Sequence, residues 1–263
     1  VEQVAKCFTG WTFVGVTNPT NPGTFFFNNN NHDQTQKVVL GNVIPANGGM
    51  NDGLIVLNIL ANHPVTARFI ARKLCTHFWG YNPPSRLVDD VAAKYTATGG
   101  DIREMIRVIL NAHTLAESDL KYKRPMHHFV SALRATGATV TTLNTLRTQL
   151  QAAGHLCFYW PTPDGYPDDL ESWVGLVIAR WNFGASLLNG NLSGLSVNVN
   201  NFLGTANTAA AIANRISGAL FGGQLPAGQK SVIQNYLLPD PPTAQRKQEA
   251  IGLAIGSPAF QWY

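Results

Sequence analysis

The sequence predicts a mainly α protein: a single irregular helical domain of about nine helices with a small N-terminal β-hairpin or flap. Three observations predict it. After residue 51, apolar residues recur at spacings of three and four in most windows. Helix punctuation brackets those windows, with Pro64, Asp101 and Pro125 at starts and Gly99, Gly137 and Gly154 at ends. β-Branched and aromatic clusters bounded by Asn, Pro and Gly fall early, at residues 11–16, 24–27 and 38–40.

In chain order, residues 1–9 read as a short helix entering Gly10-Trp11. The three aromatic or β-branched runs then form a hairpin or three-stranded flap, with Asn28 to Asn31 as a polar turn. A helix over 53–61 precedes one over 64–79, where Pro64 suits a first helical position and Asn62 or His63 caps. Its buried stripe is expected to be Ala67, Ile70, Ala71, Leu74 and Phe78. Ser85 is placed as the cap of a helix over 86–97. Asp101-Ile-Arg-Glu104 is a capping box ahead of Ile102, Met105, Ile106, Ile109 and Leu110. Pro125 opens a helix closed by Gly137, and Leu143, Leu146 and Leu150 mark another closed by Gly154. Residues 155–171 are an aromatic, Pro- and Asp-rich loop; helices near 172–189, 206–221, 229–238 and 244–256 follow. The Gly/Asn/Ser stretch 189–205 reads as a flexible loop. Residues 101–113 echo 245–257, each running from polar to apolar at helical spacing. With no Pro/Ser linker, 1–263 reads as one domain, with 1–50 the flap region and 51–263 the helical body.

Charged residues are only 13% of the chain, about half the usual share, and amides and hydroxyls fill the gap. Such a surface is commoner outside the cytoplasm than in it. The net charge of +4 is mild and no Lys/Arg block of five occurs, so nucleic-acid binding is not expected. No apolar run approaches the roughly 18 residues of a membrane span. Cys7, Cys75 and Cys157 lack a Cys-x-x-Cys unit and are expected as buried reduced thiols, with at most one disulfide.

His63 to Cys75 is the most charged helix, stacking Arg68 and Arg72 one turn apart with Lys73 beside them. Two guanidinium groups against a core helix require anionic or carbonyl partners. Asp164, Asp168, Asp169 and Glu171 are natural ones, and an internal ion-pair network is favoured over a ligand pocket. On that reading Arg72→Ala leaves a buried partner unpaired and costs roughly 3–5 kcal/mol. Arg134, Arg180 and Lys121 to Arg124 leave cations in surplus near the loop, as an anion-binding cleft would show. His32-Asp33 with Lys37 is a second candidate: a His-carboxylate pair can orient a general base or a metal ligand, but a turn hydrogen bond from Asp33 is favoured because no third partner is apparent. Tyr159, Trp160, Tyr166 and Trp173 are aromatics able to stack on a sugar, more often a loop's own mini-core. There is no His-x-x-x-His unit, nucleophile elbow or nucleotide phosphate loop, and no metal or cofactor is expected. Asn51-Asp52-Gly53 only superficially suggests a calcium loop.

Seven ordered segments carry a family resemblance: Lys6 to Trp11; His32-Asp33 with Lys37 and Leu40-Gly41; His63 to Phe78; Lys123-Arg124-Pro125 with Ser131 to Arg134; Pro163 to Pro167; Trp173 with Arg180-Trp-Asn182; and Ser257 to Gln261. Together they resemble the large bacterial family called domain of unknown function 1800, over essentially the whole chain, as the C-terminal portion of its pattern. Ala259 stands where an acidic residue is usual in that family. The resemblance implies export and genes beside those of domain of unknown function 1501, but no catalytic residue or cofactor.

The leading expectation is an exported, non-catalytic binding or assembly protein at the cell surface. Its partner would be its own upstream portion or another chain, the domain of unknown function 1501 family among them. An exposed apolar patch around Phe8, Trp11 and Phe13 is expected unless another chain covers it. The alternative is a secreted enzyme acting on an anionic or glycan substrate, in a cleft between the Arg68/Arg72 helix and the Asp164 loop. A third reading makes the chain the stabilising half of a longer enzyme.

Overall fold

The computed structural model describes every residue except 16, 18, 19 and 176. The end of the first expected strand, Val16, and one residue of the helix expected near 172–189, Leu176, thus lie outside the described residues. The chain divides into two compact units, Val1–Ser118 and Asp119–Tyr263. Among the described residues there are fourteen α-helices, not nine, and three two-stranded antiparallel sheets. Each short element exists because a local cap or turn stops its neighbour.

The first unit opens with α1 (Glu2–Phe8), then β1 (Trp11–Phe13) paired with β2 (Phe25–Phe27) in the register Trp11 to Phe27. A separate ribbon pairs β3 (Lys37–Val39) with β4 (Asn42–Ile44). Two ribbons therefore replace the expected single flap. The turn of the second falls at Leu40-Gly41, both at positive φ, which closes it tightly and keeps it apart from the first. Helices α2 (Asn51–Ala61), α3 (Pro64–Phe78), α4 (Ser85–Thr98), α5 (Ile102–Ile109) and α6 (Ala112–Ala116) complete the unit.

Their ends follow the sequence chemistry. His63 Nδ1 accepts from the Val65 N–H at 3.2 Å, with Pro64 opening α3. Asp101 accepts from the Arg103 and Glu104 N–H groups, and Gly99 ends α4 in the left-handed region. Ser85 does not cap α4: it is the first helical residue, after Pro84. One small core gathers Cys7, Val39, Ile44 and Val56, and another Ala71, Cys75, Trp79, Val88, Val91, Met105 and Ile109.

The second unit contains α7 (Pro125–Thr136), β5 (Thr139–Val140), α8 (Asn144–Ala152), α9 (Glu171–Val174), α10 (Val177–Leu188), β6 (Leu195–Ser196), α11 (Val199–Leu203), α12 (Ala209–Phe221), α13 (Ala227–Tyr236) and α14 (Ala244–Gly256). The stretch 189–205 is not a structureless loop. It carries β6 and α11, and buries Leu192, Leu195, Phe202 and Leu203 in the main core. That core centres on Phe129 and Phe183, stacked at 4.1 Å, beneath Ile212, Ile216, Ile251 and Ile255. Helices α10 and α14 approach closely because Gly184 faces Gly252. A Cβ at Gly184 would sit 2.9 Å from the Gly252 carbonyl oxygen, so only glycine fits there.

All three cysteines are free; Cys7 and Cys75 are buried as expected, whereas Cys157 is exposed. Its loop turns it outward, with neighbouring Phe158 exposed at positive φ.

Candidate functional site

Two clusters of charge are built into the protein, one in each unit. In the first, four elements converge. Thr9 follows α1, His32 follows the Asn29–Asn31 turn, Lys37 opens β3, and Asp52 lies in the first turn of α2. Asp52 Oδ2 accepts from Lys37 Nζ at 2.6 Å and lies 3.1 Å from His32 Nε2. His32 Nδ1 faces the Thr9 carbonyl oxygen at 2.7 Å and the Thr9 hydroxyl at 3.2 Å, so both ring nitrogens have polar partners. Lys37 Nζ also donates to the Asp33 carbonyl oxygen. Thr9 Oγ1 accepts from the Asp33 N–H at 2.8 Å and lies 2.6 Å from the Lys6 carbonyl, to which it donates.

The side chains of His32, Lys37 and Asp52 are fully shut off from solvent. Gly48 closes the remaining side: a Cβ there would lie 2.0 Å from Asp52 Oδ1. Gly53 makes room for Trp11 in the same way, at 2.5 Å from its ring. The cluster can fasten α1, the turn, β3 and α2 together, and its desolvated charges make that fastening strict.

The sequence brings out His32, Asp33 and Lys37 but not their hub. Asp33 makes the turn hydrogen bond, accepting from the Thr35 N–H at 2.8 Å; the Thr35 hydroxyl, and then that bond, hold its carboxyl below the usual range. Asp52 is the missing third partner. The signal for it is its place four residues before buried Val56, on the apolar stripe of α2, where an acid needs a partner.

The basic helix is a correction. The buried line of α3 is Ala67, Ala71 and Cys75, with Ile70, Leu74 and Phe78 only partly buried. Arg68 and Arg72 stand one residue further round, about 100° away, and both are exposed. Arg68 pairs with Asp89 of α4 in its own unit, both side chains more than half exposed, and Lys73 lies 5.1 Å over the Phe69 ring. Arg72→Ala is therefore expected to shift stability by less than about 0.5 kcal/mol, and Arg68→Ala by less than about 1 kcal/mol. Urea melts of the two variants check this; a loss near the 3–5 kcal/mol of a buried pair would restore the buried reading.

The second cluster surrounds the start of α7. Arg180 of α10 is fully buried, donating to Gln261 Oε1 at 3.0 Å and stacking 4.4 Å over the Tyr122 ring. Lys121 pairs with Asp168 at 2.8 Å, and burial pulls its ammonium below the usual lysine range. Lys123 lies 3.8 Å over the Phe260 ring, and burial pulls it to about 8. His155 rests against Trp173 and Tyr166, while Trp173 donates from Nε1 to the Pro167 carbonyl at 2.9 Å. Burial, then the charges of Arg124, His127 and Arg180, lowers His155 to about 4. Burial, then Arg180 and Lys123, lowers His128 to about 3. Trp173 and Tyr166 thus pack within the loop, whereas Tyr159 and Trp160 stay exposed, Trp160 leaning on Tyr166; Asp164 is exposed and accepts from the Thr162 hydroxyl.

Residues 121–123 and 261–263 hold this cluster shut by pairing as antiparallel backbone, with Tyr122 opposite Trp262. Lys121 N donates to the Tyr263 carbonyl at 2.9 Å and Lys123 N to the Gln261 carbonyl at 2.7 Å. Among the described residues no group of His, Cys, Asp and Glu is placed to hold a metal, and no single helix is long and apolar enough to cross a membrane.

These features define a mainly helical protein whose buried charges fix its packing. A family model described as "Protein of unknown function (DUF1800)" matches residues 1–262, and the chain belongs to that family. No curated protein and no solved structure matches it.

Proposed function

We propose that this chain is an exported, non-catalytic binding or assembly protein at the cell surface, docking another protein chain on the aromatic face of its first ribbon. The observation that carries this reading is exposure. Phe13 and Phe25, paired across β1 and β2 on the same face as half-buried Trp11, are 59% and 54% exposed, and Phe26 on the opposite face is 42% exposed. Water-facing aromatics clustered on a single ribbon are unfavourable unless a partner covers them. The sealed His32–Lys37–Asp52 cluster supports the same reading, since it fixes the ribbon's supports and offers no reacting group to solvent. The low charge content supports export. Of the residues the enzyme alternative calls on, Arg68 is engaged by Asp89 of its own unit.

The partner of choice is the domain of unknown function 1501 protein encoded beside such genes. Phe13→Ser/Phe25→Ser should lower the melting temperature only modestly, because both side chains are more than half exposed although Phe25 meets the Trp11 ring edge-on, and should abolish co-purification of the co-expressed pair. Failure of the wild-type pair to co-purify, or co-purification untouched by the double substitution, would overturn the proposal.

A further inference from the structure

The second unit holds a cleft of about 580 Å³ whose wall includes Lys123, Phe221, Gln224, Gln229, Trp262 and Tyr263. Two polar groups in that wall lack what they need. Lys123 is 7% exposed and rests its ammonium on the Phe260 ring, with no carboxylate in ion-pair range among the described residues. Gln229 Oε1 is buried and accepts from no donor. A buried ammonium without a counter-ion is costly, and ring contact offsets only part of that cost.

We propose that this cleft binds a small organic acid, its anionic head on Lys123, its apolar or aromatic body against Phe221 and Trp262, and a hydroxyl donating to Gln229 Oε1. The volume suits such a ligand, and the lining has the usual make-up of a small-molecule site: apolar and aromatic walls with a few polar groups that set orientation. An anion seated on Lys123 favours the ammonium form that burial disfavours. This site is independent of the ribbon surface proposed above, so either can fail alone.

The test uses the whole chain with four probes: 4-hydroxybenzoate, benzoate, neutral 4-hydroxybenzamide and inorganic sulfate. Melting temperature and tryptophan fluorescence are the readouts. Expected are saturable stabilisation by 4-hydroxybenzoate, weaker stabilisation by benzoate, and none by the amide. Lys123→Met keeps the stem packing and removes the charge; binding of 4-hydroxybenzoate should weaken about tenfold or more. If Lys123→Met does not fold, Lys123→Gln serves with the same readout. The proposal is overturned by no saturable binding of either acid below ~10 mM, where specific contact is negligible. Equal binding of acid and amide, stabilisation by sulfate as strong as by the acids, or unchanged affinity in the Lys123 variants overturns it as well.

Discussion

Asp52→Ala is expected to cost about 3–5 kcal/mol, the penalty for leaving a buried charge without its partner. The substitution leaves Lys37 with only the Asp33 carbonyl and the more distant Asp33 carboxylate, 3.6 Å away, and removes the acceptor at His32 Nε2. Water cannot replace the lost oxygen easily, because Gly48 and Trp11 pack around the start of α2. The double variant Asp52→Ala/Lys37→Met should recover more than half of the loss, since replacing a buried pair with apolar groups is often close to neutral. Urea denaturation of wild type, single and double variants measures the coupling. A single-variant loss below about 1 kcal/mol would mean that the pair behaves as a surface pair.

Acid is expected to destabilise the second unit strongly. His128 and His155 are held neutral in the native protein down to about 3 and about 4, while the unfolded chain protonates them near the ordinary 6.5. Between these values the unfolded chain binds more protons than the native protein, so stability falls as pH falls. Each histidine contributes about 1.4 kcal/mol per pH unit, together on the order of 5 kcal/mol between about pH 7 and about pH 4.5. Above pH 6.5 both states are neutral at these rings and the contribution is flat. His155 supports this with geometry, because its Nδ1 accepts from the Met126 N–H at 3.2 Å and carries no proton there. His128→Phe should remove about half of the acid slope. A wild-type melting temperature unchanged from pH 7 to pH 5 would refute the assignment.

The helical scaffold was largely legible because its punctuation is local. His63-Pro64, Asp101, Gly99 and Gly137 each act within one turn, and each sits where a cap or stop is observed. Burial of charge was not legible, because it depends on partners far apart in the chain. Lys37 and Arg180 are among the largest fully buried side chains, yet composition places lysine and arginine at the surface. One residue of helical rotation separated Arg72 from the buried line of Ala71 and Cys75, and adjacency in sequence hid that angle. In residues 189–205, glycines and asparagines masked four apolar anchors whose burial is decided by the core they meet. The closing Ser257 to Gln261 segment carries only a family resemblance in the sequence, whereas in the fold Gln261 is the acceptor for Arg180 and Phe260 the platform for Lys123.

The antiparallel pairing of residues 121–123 with 261–263 also orders events during synthesis. Until residue 261 has left the ribosome, Arg180 has no Gln261 to receive it and Lys123 has only just gained Phe260. The first unit meets no such wait, since its charge cluster is assembled within residues 9–52. Domains emerging N-terminal end first fold in that order. The second unit thus stays open to chaperones and proteases until residues 261–263 arrive, whereas the first has everything its charge cluster needs once residue 52 is out.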